Sequence, residues 1–199
     1  MVAFAQLLEE DLGEVEGEAA QDLVYLRSSA QEGLDLLEAL GAWIAAGGQP
    51  TLEPVDLGAL FRGAVTELEA QRAAVAGTIE VDDLPTRSVD RLAFARLAVE
   101  LLRNGLNYGH TEDDPAPHVL VRAEGDALIV EDRGPGLTPA EIARVCEPLV
   151  RLVPKRRVPG HGLGLAIVAR IVQVHGAGLE FESPPEGGLR VIVRLGAPA

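Results

Sequence analysis

Two glycine-rich turns, each joined to a strongly apolar element, constrain this chain more than anything else in it. Gly160-His-Gly-Leu-Gly-Leu165 runs without a break into Ala166-Ile-Val-Ala-Arg-Ile-Val172, and Asp132-Arg-Gly-Pro-Gly136 directly follows the apolar run Ala127–Asp132. One turn opens a helix and the other closes a strand, so the two call for a sheet with helices packed on it. The remaining pattern agrees. Asp56 can cap a helix reaching about Ala76, Thr78–Val81 has β character, and Asp90 precedes a strong helix, Arg91–Tyr108, stopped at Gly109. Val119–Glu124 and Ala127–Asp132 read as a hairpin turning at Gly125-Asp126. Thr138 can cap a short helix through Val145, and Gly162 opens a helix that ends at His175 before Gly176. Leu179–Glu182 and Leu189–Leu195 form a last hairpin. Strands paired as hairpins yet interleaved with helices predict an α+β fold, a mixed sheet with helices on one face.

The first 46 residues have a different character. They contain no proline and read as two helices, about Val2–Leu12 and Glu18–Ala46, separated by Gly13-Glu-Val-Glu-Gly17. The longer helix carries a stripe of Leu23, Leu26, Ala30, Leu34, Leu37 and Ile44 at close to helical spacing. Two helices cannot enclose a core, so the stripe needs a partner. A like hairpin from a second chain would complete a four-helix bundle; the chain's own C-terminal part is the alternative. Gly47-Gly-Gln-Pro50 reads as a linker, which divides the chain into a helical hairpin, 1–49, and a larger domain, 50–199.

Charge and composition exclude several functions. A net charge of −14 argues against nucleic acid and against anionic membranes. No apolar stretch approaches the roughly 18 residues of a membrane span, and no signal peptide is evident. The lone Cys146 fits a reducing, cytoplasmic setting. Against this acidic background, Arg151, Lys155, Arg156 and Arg157 fall in seven residues with no acid among them, either a small anion site or a solvated loop.

Several segments carry chemistry. Glu100 and Asn104 share a helix face, and an amide oxygen suits Mg²⁺, which takes few protein ligands and prefers nucleotide phosphates for the rest. The ordinary alternative for this pair is a solvated face. Asp132, leaving a strand, can accept a hydrogen bond from an exocyclic purine amine, with Gly134 and Gly136 letting a flat base approach; alone, the motif reads as a glycine-proline turn with a solvated aspartate. The glycines before the Ala166 helix expose N–H groups at the positive end of its dipole, where phosphates bind. It is neither a Walker A nor a dinucleotide fingerprint.

Taken together and in this order, the motifs resemble the ATP-binding catalytic domain of sensor histidine kinases, in the superfamily of gyrase, Hsp90 and MutL. Glu100–Tyr108 is similar to the N box, Asp132–Gly136 to the G1 box, Cys146–Leu149 to the F box and Gly160–Leu165 to the G2 box. The resemblance covers roughly 50–196. It implies a two-layer α/β sandwich with a Mg²⁺-ATP cleft under a lid at about Val150–Pro159, with Asn104 holding Mg²⁺ and Asp132 reading adenine. Gly134, Gly136, Gly162 and Gly164 would shape the cleft, and Lys155, Arg156 and Arg157 would meet phosphates. Asn107, Tyr108, Gly160 and Leu163 fall among the implied nucleotide contacts. Three departures stand out. Asn107 replaces the usual lysine, Glu100 stands where many of these kinases have asparagine and implies a general base, and the F box lacks both aromatics.

The first 46 residues resemble a phytochrome-type dimerisation hairpin that begins just past its phosphoacceptor histidine. No histidine precedes His110, and His110, His118, His161 and His175 lie in or beside the larger domain's motifs. The expectation is therefore a dimer through 1–46 that phosphorylates an acceptor outside this chain: a separate histidine-bearing protein or a response regulator. The alternatives are an ATPase or serine/threonine kinase using Glu100 as base, with Ser28 and Ser29 as conceivable acceptors. A third is a nucleotide-binding module that holds a response regulator.

Overall fold

A computed structural model describes residues 18–152, 161–185 and 187–196. The expected first helix, Val2–Leu12, and Lys155, Arg156, Arg157 and Gly160 lie outside them. The chain divides into two compact units, Met1–Ala42 and Trp43–Ala199. Helix α1, Glu18–Ala45, provides the described part of the first unit. Its Leu26, Leu34, Leu37 and Ile44 are exposed, so four residues of the expected stripe face outward.

The second unit runs β1 (Glu53–Asp56), α2 (Leu57–Glu67), α3 (Glu69–Ala74), β2 (Thr78–Val81), β3 (Thr86–Val89), α4 (Arg91–Tyr108), β4 (His118–Glu124), β5 (Ala127–Asp132), α5 (Pro139–Ile142), α6 (Gly164–Val174), β6 (Gly178–Glu182) and β7 (Arg190–Arg194). Five strands form one sheet in the order β2-β4-β5-β7-β6, with β2 parallel to β4 and every other pair antiparallel. The mixed sheet, the helices on one face and both hairpins are as expected. Glu124 pairs with Ala127 and Glu182 with Arg190.

Strand alternation assigns the faces. Val119, Val121, Leu128, Val130, Val191 and Val193 are buried on the helix side, and so are Phe94, Leu97, Leu101, Leu102, Ile167 and Ile171 of the helices. On the outer face Ala127, Ile129 and Ile192 form a small apolar cluster. Ion pairs flank it: Glu131 takes Arg122 at 3.3 Å and Arg190 at 2.9 Å, and Glu180 takes Arg194 at 2.8 Å. Such half-exposed pairs keep the open face soluble more than they stabilise it.

The structure departs from the expected elements in three places. β1 and β3 pair antiparallel as a separate ribbon, where no strands were expected. The helix from Leu57 breaks at Leu68 into α2 and α3, and the helix after Thr138 ends at Ile142, three residues early. Asp56, Asp90 and Thr138 cap as expected, accepting from the N–H groups of Ala59, Ala93 and Glu141.

His175 ties the two main helices together. Its Nδ1 lies 2.7 Å from Ile171 O, and its Nε2 accepts the Asp90 N–H at 3.0 Å, which fixes the neutral tautomer protonated on Nδ1. Phe94 packs edge-on to the ring at 4.9 Å. Truncation by His175→Ala leaves the Asp90 N–H without an acceptor and opens a gap beside Phe94. Urea unfolding is expected to show a loss of about 2 kcal/mol.

Candidate nucleotide-binding site

Helix α4 organises the site. Glu100, Asn104 and Tyr108 recur every four residues and share one face along about 12 Å of axis. Near its middle, Glu100 meets the start of α6, where a Cβ on Gly164 would stand 2.9 Å from Glu100 Oε2. At its end, Tyr108 and Gly109 meet the Asp132 turn. A Cβ on Gly109 would lie 2.8 Å from Asp132 Cβ, and one on Gly134 would collide with Tyr108 O. Asn104 lies between these two contacts. One helix face therefore gathers Glu100, Asn104, Tyr108, Asp132, Gly134 and Gly164.

Strand parity delivers Asp132. It follows Leu128 and Val130 on the inward face of β5, opposite Val119 in register. Gly105 lets α4 rest on the neighbouring β4, since a Cβ there would stand 2.5 Å from Val119 Cγ2. Asp132 Oδ1 accepts the N–H groups of Gly134 at 2.8 Å and Leu189 at 3.2 Å. Burial raises the carboxyl above the ordinary aspartate range, and these two bonds partly oppose that. Among the described residues Oδ2 takes no hydrogen bond, which leaves one oxygen for a ligand amine. Gly188 N–H donates to Gly134 O at 2.7 Å and closes the turn.

A backbone hydrogen bond joins the chain on either side of residues 150–161. Leu149 N–H donates to Gly162 O at 2.9 Å, with Leu149 at φ 66° and Gly162 at φ 70°. Leu163 is buried, so only its backbone can serve a ligand. Gly136, at φ 72°, lies against Gly188 and Ser183. Asn107 turns toward α3, its Oδ1 accepting Gln71 Nε2 at 2.8 Å. In the F-box position, burial pushes the Cys146 thiol up to about 11, so it stays protonated and packs as a small apolar group.

Glu100 is the one charged residue buried among those described. Arg96 pairs with its Oε1 at 2.7 Å, and Arg103 approaches both oxygens at 3.4 Å. The sequence reading missed Arg96, Arg103, Gly188 and Leu189. The arginines sit at i−4 and i+3 from Glu100, a signal the sequence does carry. Leu189 acts through its backbone N–H, which no residue type announces.

This set fits a magnesium nucleotide. The glycines keep side chains out of the space beside Asp132 and at the head of α6, and Asp132 holds an acceptor ready for a purine amine. Among the described residues no three acidic, histidine or cysteine side chains cluster as a metal cage. A lone amide ligand, Asn104, suits Mg²⁺ whose other ligands are phosphate oxygens and water.

The model of the histidine kinase-, DNA gyrase B- and HSP90-like ATPases matches residues 89–199. The chain is 34% identical over 116 residues to the alginate biosynthesis sensor protein KinB of Pseudomonas aeruginosa, covering 57% of this chain and 19% of KinB. It is 32% identical over 146 residues to the signal transduction histidine-protein kinase/phosphatase MprB of Mycobacterium tuberculosis, covering 71% of this chain and 28% of MprB. It thus spans less than a third of either relative's length. Among solved structures, the mycobacterial sensor histidine kinase MprB aligns at TM-score 0.61 and 28% identity over 74% of this chain and all (100%) of that one. Full-length ShkA in complex with AMPPNP aligns at TM-score 0.74 over 100% of this chain and 42% of that one; at 24% identity it shows the shared fold.

Proposed function

Because the chain belongs to the histidine kinase-, DNA gyrase B- and HSP90-like ATPase family, we propose that it binds Mg²⁺-ATP on the α4 face and passes a phosphoryl group to an acceptor outside itself in two-component signalling. The observation that carries this reading is the convergence of Asp132, Asn104 and the α6 N-terminus on one helix face. Bound Mg²⁺-ATP supplies the electrophilic γ-phosphoryl group. Asp132 takes the adenine amine, Asn104 holds the metal, and the backbone N–H groups at the head of α6 hold phosphate oxygens. Lys155, Arg156 and Arg157 of the lid segment add cations. Within this reading 1–49 serves as the dimerising hairpin and 50–199 as the catalytic domain.

The outward stripe of α1 supports a homodimer through residues 1–46, and the expected partner is a response regulator or a separate histidine-bearing protein. No described helix is long and apolar enough to cross a membrane, and we place the reaction in the cytoplasm. Glu100, with one half-buried arginine contact on either side and little solvent access, favours transfer to an external acceptor over activation of water by Glu100.

The test supplies ATP labelled at the γ-phosphate, Mg²⁺ and a separate histidine-bearing hairpin protein. Acid-labile label on the added protein is expected, with none on the chain. Asn104→Ala is expected to lower transfer roughly a hundredfold by removing the metal's protein ligand. Acid-stable label on Ser28 or Ser29, or free phosphate alone, would instead support the serine/threonine kinase or ATPase. Binding without turnover would support a nucleotide-sensing module.

A further inference from the structure

We propose that Arg103 is the side chain of α4 that binds the terminal phosphates, doing from one residue before Asn104 what the neutral Asn107 cannot. This rests on the nucleotide reading above and deepens it.

The argument begins with a charge problem. Glu100 Oε2 lies beside Gly164, at the helix N-terminus where phosphates would sit. A buried carboxylate next to a polyphosphate is repulsive unless cations separate them. At Glu100 itself two arginines meet one carboxylate, leaving a local excess of positive charge.

Their geometry separates their roles. Arg96 pairs with Glu100 at 2.7 Å and stands two turns before Asn104, so it is committed to the carboxylate. Its Nε is also buried and, among the described residues, has no hydrogen-bond partner. Arg103 touches Glu100 only at 3.4 Å, the outer limit of a hydrogen bond, and its side chain is 35% exposed. Little holds it there, and a planar guanidinium is well matched to phosphate oxygens. One turn further on, Asn107 carries no charge and is held by Gln71. When phosphates arrive, Arg103 swings onto them while Arg96 keeps Glu100 neutralised. Glu100 is then a positioning residue that holds Arg103 poised in the absence of nucleotide.

The experiment titrates the full chain calorimetrically with AMP, ADP and a non-hydrolysable ATP analogue, all with Mg²⁺. Arg103→Ala is expected to weaken the analogue and ADP roughly tenfold to a hundredfold, the range for losing a hydrogen bond to a charged group, and to leave AMP within about twofold. Adding Asn107→Lys to Arg103→Ala returns a cation to the same face and is expected to recover most of the loss. Unchanged affinity for the analogue in Arg103→Ala, or an equal loss for AMP, overturns the assignment. A double variant no better than Arg103→Ala overturns the argument from charge. Wild-type chain that binds no adenine nucleotide overturns the nucleotide reading itself, a result distinct from all of these.

Discussion

Asp132→Asn is expected to lower affinity for adenine nucleotides roughly a hundredfold or more without unfolding the protein. Oδ1 accepts the Gly134 and Leu189 N–H groups, so the amide oxygen of an asparagine must take that position. Its NH₂ then faces the adenine amine, donor against donor. The fold responds differently. Burial raises the carboxyl's pKa in the folded state, so ionising it opposes folding. That cost is absent where the carboxyl is protonated in both states. It develops as pH rises through the unfolded-state value and is complete above the folded one. Asparagine removes it, and thermal unfolding at neutral pH is expected within about 1 kcal/mol of wild type. The same shift predicts that wild-type affinity falls as pH drops through the raised pKa, earlier than an ordinary aspartate would allow. Calorimetry across a pH series reads this directly.

Gly162→Ala is expected to be nearly as damaging, through the backbone. At φ 70° an alanine is strained, and its Cβ would stand 2.5 Å from Val150 O, a backbone atom that cannot rotate away. Relief requires parting Leu149 from Gly162, which breaks their backbone hydrogen bond and shifts the head of α6. A stability loss of about 1–3 kcal/mol and a fall in affinity of more than about tenfold are expected. Gly176→Ala is the matched control, since Gly176 also has positive φ, at 65°, but a Cβ there meets nothing within 4 Å. It should cost stability alone, with ATP affinity unchanged.

The fold and the site were legible in the sequence to different depths. The N-box helix, both hairpins and the two glycine turns were readable because period, caps and glycine report backbone geometry directly. The β1–β3 ribbon was not. Glu53-Pro-Val-Asp56 and Thr86-Arg-Ser-Val89 each bury one side chain, too few to show a period of two. The break at Leu68 was equally silent, with neither glycine nor proline to mark it. Asp132 could be placed at a strand end, but its inward direction required the strand's register. The roles of Arg96 and Arg103 follow from which face of α4 is covered, and that is a property of packing.

The central claim is that Asp132, Asn104 and the α6 N-terminus form one nucleotide site. Calorimetric titration of the full chain with a non-hydrolysable ATP analogue, with and without Mg²⁺, tests it most directly. The account predicts saturable one-to-one binding per chain that tightens with Mg²⁺, loses that Mg²⁺ dependence in Asn104→Ala, and weakens roughly a hundredfold or more in Asp132→Asn. Equal binding by wild type and Asp132→Asn, or no binding by wild type, would contradict it.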